Sequence, residues 1–362
     1  MRHYEGRSRG PAGHRGWKAL IVAAVALCGL VGAGSAGAKA SEWITISKDF
    51  TSPLFGLSAK PGGPLFVADS GAGPTELRNG KASLIADLPG VTDVLPVEGG
   101  RFLALTSGGP ANALYRISRR GHVEQVADLL AFEKAKNPDG DEIESNPFDL
   151  AKGANGKTLV ADAAGNDILR VGPHGHVDWA ATLPEKLVST RFIKKLVGCP
   201  NPADPEEAEA CSLPPQIPAD PVATSVAVGP DGAMYVTELR GFPATPGTSR
   251  VWRIEPDAYH VHCGTSPKCK VVARGFTSII DLAFGKGKAY VVELDEKSWY
   301  AVETGRAVGG TINVCRPYGS HWDCHRLATH LPMPTAVALK DGGVYTTLFS
   351  LVPGQARVVR LH

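Results

Sequence analysis

Seven carboxylates occupy two recurring positions of a repeated sequence phrase, and together they could bind a cation. Four follow the second apolar run of a repeat unit: Asp69, Asp162, Glu238 and Glu293. Three precede the first apolar run: Asp93, Asp149 and Asp281. Carboxylates held close together repel one another unless some are protonated or a cation neutralises them. Because hard oxygen ligands favour Ca²⁺, Mg²⁺ or Mn²⁺, the pattern predicts a ligand-binding site or a site for a divalent cation such as Ca²⁺.

These carboxylates also have an interpretation that needs no ligand. An Asp that follows a strand commonly accepts hydrogen bonds from backbone N–H groups of its own loop. Asp69 and Asp162 suit that role, whereas the longer side chains of Glu238 and Glu293 suit it less. The three carboxylates that precede the first run could instead bond between neighbouring units. Both interpretations stay open, and no residue is predicted to be catalytic.

The phrase that positions these side chains occurs six times, starting at residues 57, 94, 150, 226, 282 and 337. It consists of an apolar run, a Gly-rich turn, a second apolar run and an acidic or polar residue. The clearest copy is VAVGPDGAMYVTE, residues 226–238. A second hairpin follows each of the first five copies. Four short strands per unit, separated by tight turns, are typical of a β-propeller blade.

The sixth unit contains only three strands before His362. The segment WITIS, residues 43–47, belongs to no unit and can supply the missing strand, which would remove an open sheet edge. The sequence therefore predicts an all-β fold, a six-bladed β-propeller whose last blade is closed by the N-terminal strand. Residues 39–362 are predicted to form this single domain.

Composition supports short strands and argues against a nucleic-acid partner. Gly (42) and Pro (28) together form about 19% of the 362 residues, against an ordinary share of roughly 12%. The formal charge of +2 depends on five basic residues near the N-terminus. Without residues 1–38 the chain is slightly acidic and has no basic stripe, so nucleic-acid binding is not expected.

Residues 1–38 are predicted to be a secretory signal peptide of the Sec type. A basic segment precedes an apolar run at residues 19–31, and small residues around Ala38 provide a cleavage site. A retained membrane anchor is the alternative, although the apolar run is shorter than the roughly 20 residues that span a bilayer. No later segment is predicted to cross a membrane. The mature protein is therefore expected to be soluble and secreted, or periplasmic.

Six cysteines remain outside the predicted signal peptide, and they lie in three close sequential pairs. The pairs are Cys199 with Cys211, Cys263 with Cys269, and Cys315 with Cys324. In an oxidising compartment such pairs predict three local disulfide bonds. Zinc binding is the rival interpretation, but the spacing of these cysteines does not match a structural zinc site.

Several stretches resemble a known group of proteins. VADAAGNDILRV, residues 160–171, is similar to the NHL-repeat and gluconolactonase group of six-bladed propellers. More narrowly, four segments resemble the ScyD/ScyE family of exported bacterial proteins: SNPFD at 145–149, TSVAVGPDG at 224–232, ELRGFP at 238–243 and IIDLAF at 279–284. The resemblance implies export and, for some members, a link to scytonemin pigment production. It carries no catalytic residue onto this chain.

Propeller geometry places the long connections on one face, which we call the top face. These connections are residues 129–147, 183–221, 239–249 and 294–310. Long loops on a rigid scaffold usually carry binding, so the top face is expected to bind a small molecule, an envelope component or a protein. The acidic stretch at 137–144 could add oxygen ligands for a cation. Trp299 and Tyr300 could stack on a ligand or pack against a neighbouring loop.

Two functions of different classes follow from the sequence. The first is a non-catalytic, monomeric binding protein that uses the top face. The alternative is a divalent-metal-assisted enzyme of lactonase or hydrolase type with a carboxylate-lined central funnel, which depends on analogy with gluconolactonase-like propellers.

Overall fold

A computed structural model describes residues 41–108, 111–318 and 321–362. The predicted signal peptide, with Cys28, lies outside these ranges. Within them, none of the helices is long and apolar enough to cross a membrane.

The described chain forms six blades of four antiparallel strands each. Strand β1 (Trp43–Ser47) comes first and belongs to the last blade. Blade 1 contains β2 (Leu54–Ala59), β3 (Leu65–Asp69), β4 (Gly73–Arg78) and β5 (Lys81–Leu84). Blade 2 contains β6 (Val91–Val97), β7 (Arg101–Thr106), β8 (Ala113–Ile117) and β9 (Val123–Asp128). Blade 3 contains β10 (Pro147–Lys152), β11 (Thr158–Asp162), β12 (Asp167–Val171) and β13 (Val177–Thr182).

The remaining strands complete the ring. A separate hairpin, β14 (Lys186–Ser189) and β15 (Gln216–Ala219), lies in the longest loop. Blade 4 contains β16 (Ala223–Val228), β17 (Met234–Glu238), β18 (Ser249–Ile254) and β20 (Cys269–Phe276), while the short β19 (Val261–His262) adds to the edge of blade 3. Blade 5 contains β21 (Ile279–Gly285), β22 (Lys288–Glu293), β23 (Gly310–Tyr318) and β24 (His321–Leu331). Blade 6 contains β25 (Val337–Lys340), β26 (Gly343–Leu348) and β27 (Arg357–Leu361) together with β1.

The α-helices of the described residues lie in the long connections of the top face. They are α1 (Leu129–Lys136), α2 (Arg191–Val197), α3 (Glu209–Ser212) and α4 (Trp299–Glu303). Short 3-10 turns occupy Glu98–Gly100, Ala154–Gly156 and Pro205–Glu207. The side chain of Asp128 caps α1 by accepting a hydrogen bond from the Ala131 N–H at 2.9 Å, as Asp commonly does at a helix start.

The repeated phrase forms the inner hairpin of each blade. In blade 4 the Gly229 N–H donates to the Ala233 carbonyl at 2.9 Å, which closes the turn between β16 and β17. Gly232 has φ of 77°, a conformation that costs glycine little and other residues more. Apolar side chains of neighbouring blades then pack together; Leu105 of blade 2 shares a core cluster with Leu150 of blade 3.

The N-terminal strand closes the ring as expected. Strand β1 pairs antiparallel with β27, with Trp43 opposite Leu361 and Thr45 opposite Val359. The last blade therefore has the order β1-β27-β26-β25, and the prediction of a six-bladed propeller closed by this strand is confirmed.

The three predicted disulfides are also confirmed. Cys199 and Cys211 join the end of α2 to α3, with Cα atoms 5.5 Å apart. Cys263 and Cys269 close the loop between β19 and β20. Cys315 and Cys324 form a cross-strand pair between β23 and β24.

We expect that removing residues 41–48 lowers the free energy of unfolding by on the order of 3 kcal/mol. The deletion takes away several backbone hydrogen bonds to β27, each worth about 1 kcal/mol, and opens a sheet edge. Urea unfolding of the 41–362 and 49–362 forms measures the difference. Ile44→Ser is the control: Ile44 is 48% exposed and its substitution keeps the pairing, so a loss as large as that of the deletion would contradict the role given to β1.

Candidate functional site

Two of the predicted carboxylates accept hydrogen bonds from the segment that enters their own blade. Asp69 accepts hydrogen bonds from the Thr51 N–H at 2.7 Å, the Thr51 hydroxyl at 2.5 Å and the Ser52 N–H at 3.0 Å. Asp162 accepts from the Ser145 hydroxyl and the Asn146 N–H, both at 2.6 Å. Both side chains are buried, and their oxygens hold the entry to a blade.

Glu238 and Glu293 occupy the equivalent positions in blades 4 and 5. Glu238 is fully buried and accepts from Arg240, from Arg250 Nε at 2.6 Å and from Trp252 Nε1 at 2.7 Å. The Glu293 carboxylate accepts from the Thr277 N–H and from Asn313 Nδ2 at 2.6 Å. Burial raises the pKa of Glu293. The longer side chains therefore serve the same bracing purpose as the Asp residues, through side-chain partners that the sequence did not indicate.

The other three predicted carboxylates lie around the central channel and connect blades. Asp93 accepts from the Leu150 N–H of blade 3 at 3.1 Å. Asp149 accepts from the Val226 N–H of blade 4 at 2.7 Å, and Asp281 from the Val337 N–H of blade 6 at 2.7 Å. A shift of strand register directly precedes each Asp. Such bulges re-aim a side chain, which turns these carboxylates toward the next blade.

The channel carboxylates affect one another's pKa values. Burial, together with the charge of Asp149 and a hydrogen bond between the two carboxyl groups, raises the pKa of Asp93 well above its usual range. Burial and the Asp149 charge likewise raise the pKa of Asp281 to about 7. The hydroxyl of Ser225 bridges Asp149 and Asp281 at 2.6 and 3.1 Å. This part of the channel, with a volume of about 360 Å³, is thus lined by a partly protonated network.

The four end-of-strand carboxylates and the three channel carboxylates form two separate sets. The first set is engaged by the segments that enter the blades or by side chains of the neighbouring strand, and only the second set lines the channel cavity. The structure therefore does not bring all seven to one rim.

A different cavity is formed on the top face, with a volume of about 350 Å³. All four long connections contribute to it. Its apolar wall is made by Ala163, Ile217, Val222, Phe242 and Trp299. Concave, mainly apolar pockets of roughly 300–1,000 Å³ with a few convergent polar groups are the usual form of small-molecule sites.

Three carboxylates converge at this cavity. Oxygen atoms of Asp141, Glu185 and Asp220 all lie within 4.8 Å of one another, close enough to surround one cation. The acidic stretch at 137–144 predicts the Asp141 loop as a source of oxygens, whereas no sequence pattern predicts Glu185 or Asp220 as ligands. Glu185 and Asp220 stand at opposite ends of the 183–221 loop, and the β14–β15 hairpin brings them together. The Pro-rich, acidic composition of this loop was the only signal in the sequence.

Trp299 and Tyr300 pack mainly against a neighbouring loop. The Trp299 indole N–H donates to the Arg240 carbonyl at 3.0 Å, and its backbone N–H donates to the Ser278 hydroxyl at 2.8 Å. The Tyr300 ring contacts that of Phe242 edge to face, with centroids 6.2 Å apart. Trp299 is only 4% exposed, so it presents a fixed edge to the cavity.

Comparison with known proteins shows the fold. No family model and no curated protein matches this chain. Similar solved structures include a Thermus thermophilus protein described as a putative oxidoreductase (glucose dehydrogenase), with TM-score 0.55, 18% identity, 89% of this chain and 100% of that chain covered. The PQQ-bound aldose sugar dehydrogenase of Streptomyces coelicolor matches with TM-score 0.53 and 15% identity over 88% of this chain and 96% of the other. A Xanthomonas campestris gluconolactonase matches with TM-score 0.51 and 12% identity over 89% and 90%. These six-bladed propellers share the architecture with this chain.

We expect Glu238→Gln to lower the free energy of unfolding by about 3–5 kcal/mol, since it leaves buried arginine charge without its partner. Chemical denaturation measures the loss. Glu255→Gln is the matched control. The Glu255 carboxylate also pairs with an arginine, Arg253, at 2.5 Å, but the Glu255 side chain is 37% exposed. Such a pair is worth at most about 1 kcal/mol. Equal losses in the two variants would contradict the bracing role of Glu238.

We expect stability to fall as pH rises from about 4 to about 7, in part through Asp281. An unfolded Asp releases its proton near pH 4, whereas folded Asp281 holds it up to about pH 7. The folded state binds more protons in this interval, so stability is greatest below it and is lost as pH rises through the folded pKa. Melting temperatures at pH 5 and pH 8 measure the fall, which should be smaller for Asp281→Asn. The exposed Asp87→Asn serves as control, and an unchanged fall in Asp281→Asn would contradict the assignment.

Proposed function

We propose that this protein is an exported, non-catalytic binding protein that captures a small ligand with a positively charged group and an apolar body. The ligand enters the top-face cavity. The observation that carries the proposal is the convergence of Asp141, Glu185 and Asp220 on a cavity whose remaining wall is mainly apolar.

The two parts of the cavity favour different parts of such a ligand. Phe242, Trp299 and Ile217 offer apolar surface, whose burial contributes roughly 25 cal/mol per Å². The three carboxylates supply negative charge next to it, which favours an ammonium group and disfavours an anion of the same shape. Because Trp299 is held by two hydrogen bonds, little ordering entropy is lost on binding.

Export and family membership are parts of the same proposal. Three disulfides fit an oxidising, extracytoplasmic compartment, and a signal peptide in residues 1–38 would deliver the chain there. The sequence segments noted above support membership of the ScyD/ScyE family. A monomer is the proposed working form, because one chain supplies every wall of the cavity.

The hydrolase alternative is less well supported by the arrangement of the carboxylates. Glu238 and Glu293 brace loops through buried partners, and the channel carboxylates accept hydrogen bonds from neighbouring blades. Among the described residues that line the channel there is no histidine or cysteine to act as a base or nucleophile. No single observation favours this function over binding.

Three probes with one ring system and different charge test the proposal: tryptamine, tryptophol and indole-3-acetate. Calorimetric titration of the disulfide-intact protein should show binding of tryptamine, weaker binding of the neutral alcohol and none of the acid. Asp220→Asn should weaken tryptamine binding at least tenfold, since one of three converging charges is lost. Asp87→Asn should leave it unchanged. Equal affinity for the three probes, or equal tryptamine affinity in the two variants, would overturn the proposal.

A further inference from the structure

A second acidic cluster is buried between α1 and the β11–β12 hairpin, apart from the top-face carboxylates. Asp167 is 0% exposed, and both of its carboxylate oxygens lack a hydrogen-bond partner among the described residues. Glu133 of α1 is 2% exposed, and its Oε1 atom likewise lacks a partner there. Unsatisfied buried polar atoms are rare in folded proteins and call for a physical explanation.

Asp162, Asp167 and Glu133 all lie next to Gly165. A Cβ atom on that glycine would lie 3.4 Å from Asp162 Cγ, 3.5 Å from Asp167 Oδ1 and 3.5 Å from Glu133 Oε2. Asp162 and Asp167 are directly opposite each other in the β11–β12 ladder, where like charges are destabilising. Asp139 joins the group from the loop after α1, and its Oδ2 accepts a hydrogen bond from Asn166 Nδ2 at 3.0 Å.

The charges that act on this cluster all have the same sign. Burial, followed by the charges of Asp162, Glu133 and Asp139, raises the pKa of Asp167 well above its usual range. Burial and the charges of Asp162 and Asp139 raise the pKa of Glu133 to about 8. Buried charge is normally paired or bound to a metal, so the cluster has the electrostatics of a cation site.

We propose that Asp167 and Glu133, with Asp139 and Asp162, bind one Ca²⁺ ion between α1 and the β11–β12 hairpin. The unpartnered oxygens of Asp167 and Glu133 provide the direct ligands. Four carboxylates make an all-oxygen site, which suits Ca²⁺ with its six to eight oxygen ligands and flexible geometry better than Zn²⁺ or Cu²⁺. This site differs in every residue from the Asp141, Glu185 and Asp220 group.

The ion would connect two segments that are separate in sequence, helix α1 and the β11–β12 turn of blade 3. It would tie the helix after blade 2 to the turn after β11, and it would fix the loop from which Asp141 reaches the top-face cavity. This inference does not depend on the proposed ligand, because the two groups of carboxylates have no residue in common.

Calcium titration of the full, disulfide-intact protein, stripped with EDTA, tests the proposal by calorimetry and by thermal unfolding at one pH. We expect one Ca²⁺ per chain and a higher melting temperature with calcium. Asp167→Asn and Glu133→Gln should each weaken binding at least tenfold. Without calcium Asp167→Asn should melt higher than the wild type, because it removes a buried carboxyl group that lies among other acidic side chains and has no hydrogen-bond partner among the described residues. That gain would show that the loss of binding is not a loss of folding.

Two controls distinguish this site from other acidic groups. Asp87→Asn should bind calcium as the wild type does. Asp220→Asn should keep the calcium response, although it is expected to lose tryptamine binding. Absence of a bound ion in the wild type at millimolar calcium, unchanged calcium affinity in Asp167→Asn, or loss of calcium binding in Asp220→Asn would each overturn the proposal.

Discussion

A side chain near the channel ties each blade to the next, and the ring depends on these bonds. Asp93, Asp149 and Asp281 accept backbone N–H groups across three junctions. Hydroxyl groups donate to carbonyl oxygens across the other three: Ser58 to Val94, Thr224 to Ile279 and Thr335 to Leu54. Apolar packing between neighbouring blades is not directional and does not by itself fix their relative rotation. These hydrogen bonds therefore fix the relative orientation of the blades, and with it the positions of the loops that the blades carry.

Close packing around the channel explains why residue 56 is a glycine and why the pKa values of Asp93 and Asp281 are raised. A Cβ atom at Gly56 would lie 2.1 Å from Asp93 Oδ1, so blade 1 has no side chain where blades 2 to 5 have Asp or Ser. Carboxyl groups that lie close together in a low-dielectric site cannot all be ionised. Protonation of some carboxyl groups lets the network keep its hydrogen bonds. The channel carboxyl groups therefore serve mainly to hold the blades together.

Buried carboxylates of this protein therefore differ in what neutralises them. Glu238 is compensated by arginine and indole donors, and the channel group by protons and backbone N–H groups. Among the described residues, neither carboxylate oxygen of Asp167 has a hydrogen-bond partner, and Oε1 of Glu133 has none. The difference in partners, rather than the number of acidic residues, separates bracing groups from a candidate cation site.

The sequence alone determined the six repeats, the closing strand at 43–47 and the three disulfides, because each is encoded by local periodicity or by close spacing. It also named Asp162, Asp281 and the other repeat carboxylates as special, but it assigned them to one rim. Only the tertiary structure decided their roles. A bulge sets the direction of a carboxylate, and a neighbouring arginine sets its partner, and the local sequence pattern predicts neither. The pairing of Glu185 with Asp220, and of Glu133 with Asp167, was likewise decided by folding, because residues far apart in the chain meet only when loops and blades are packed.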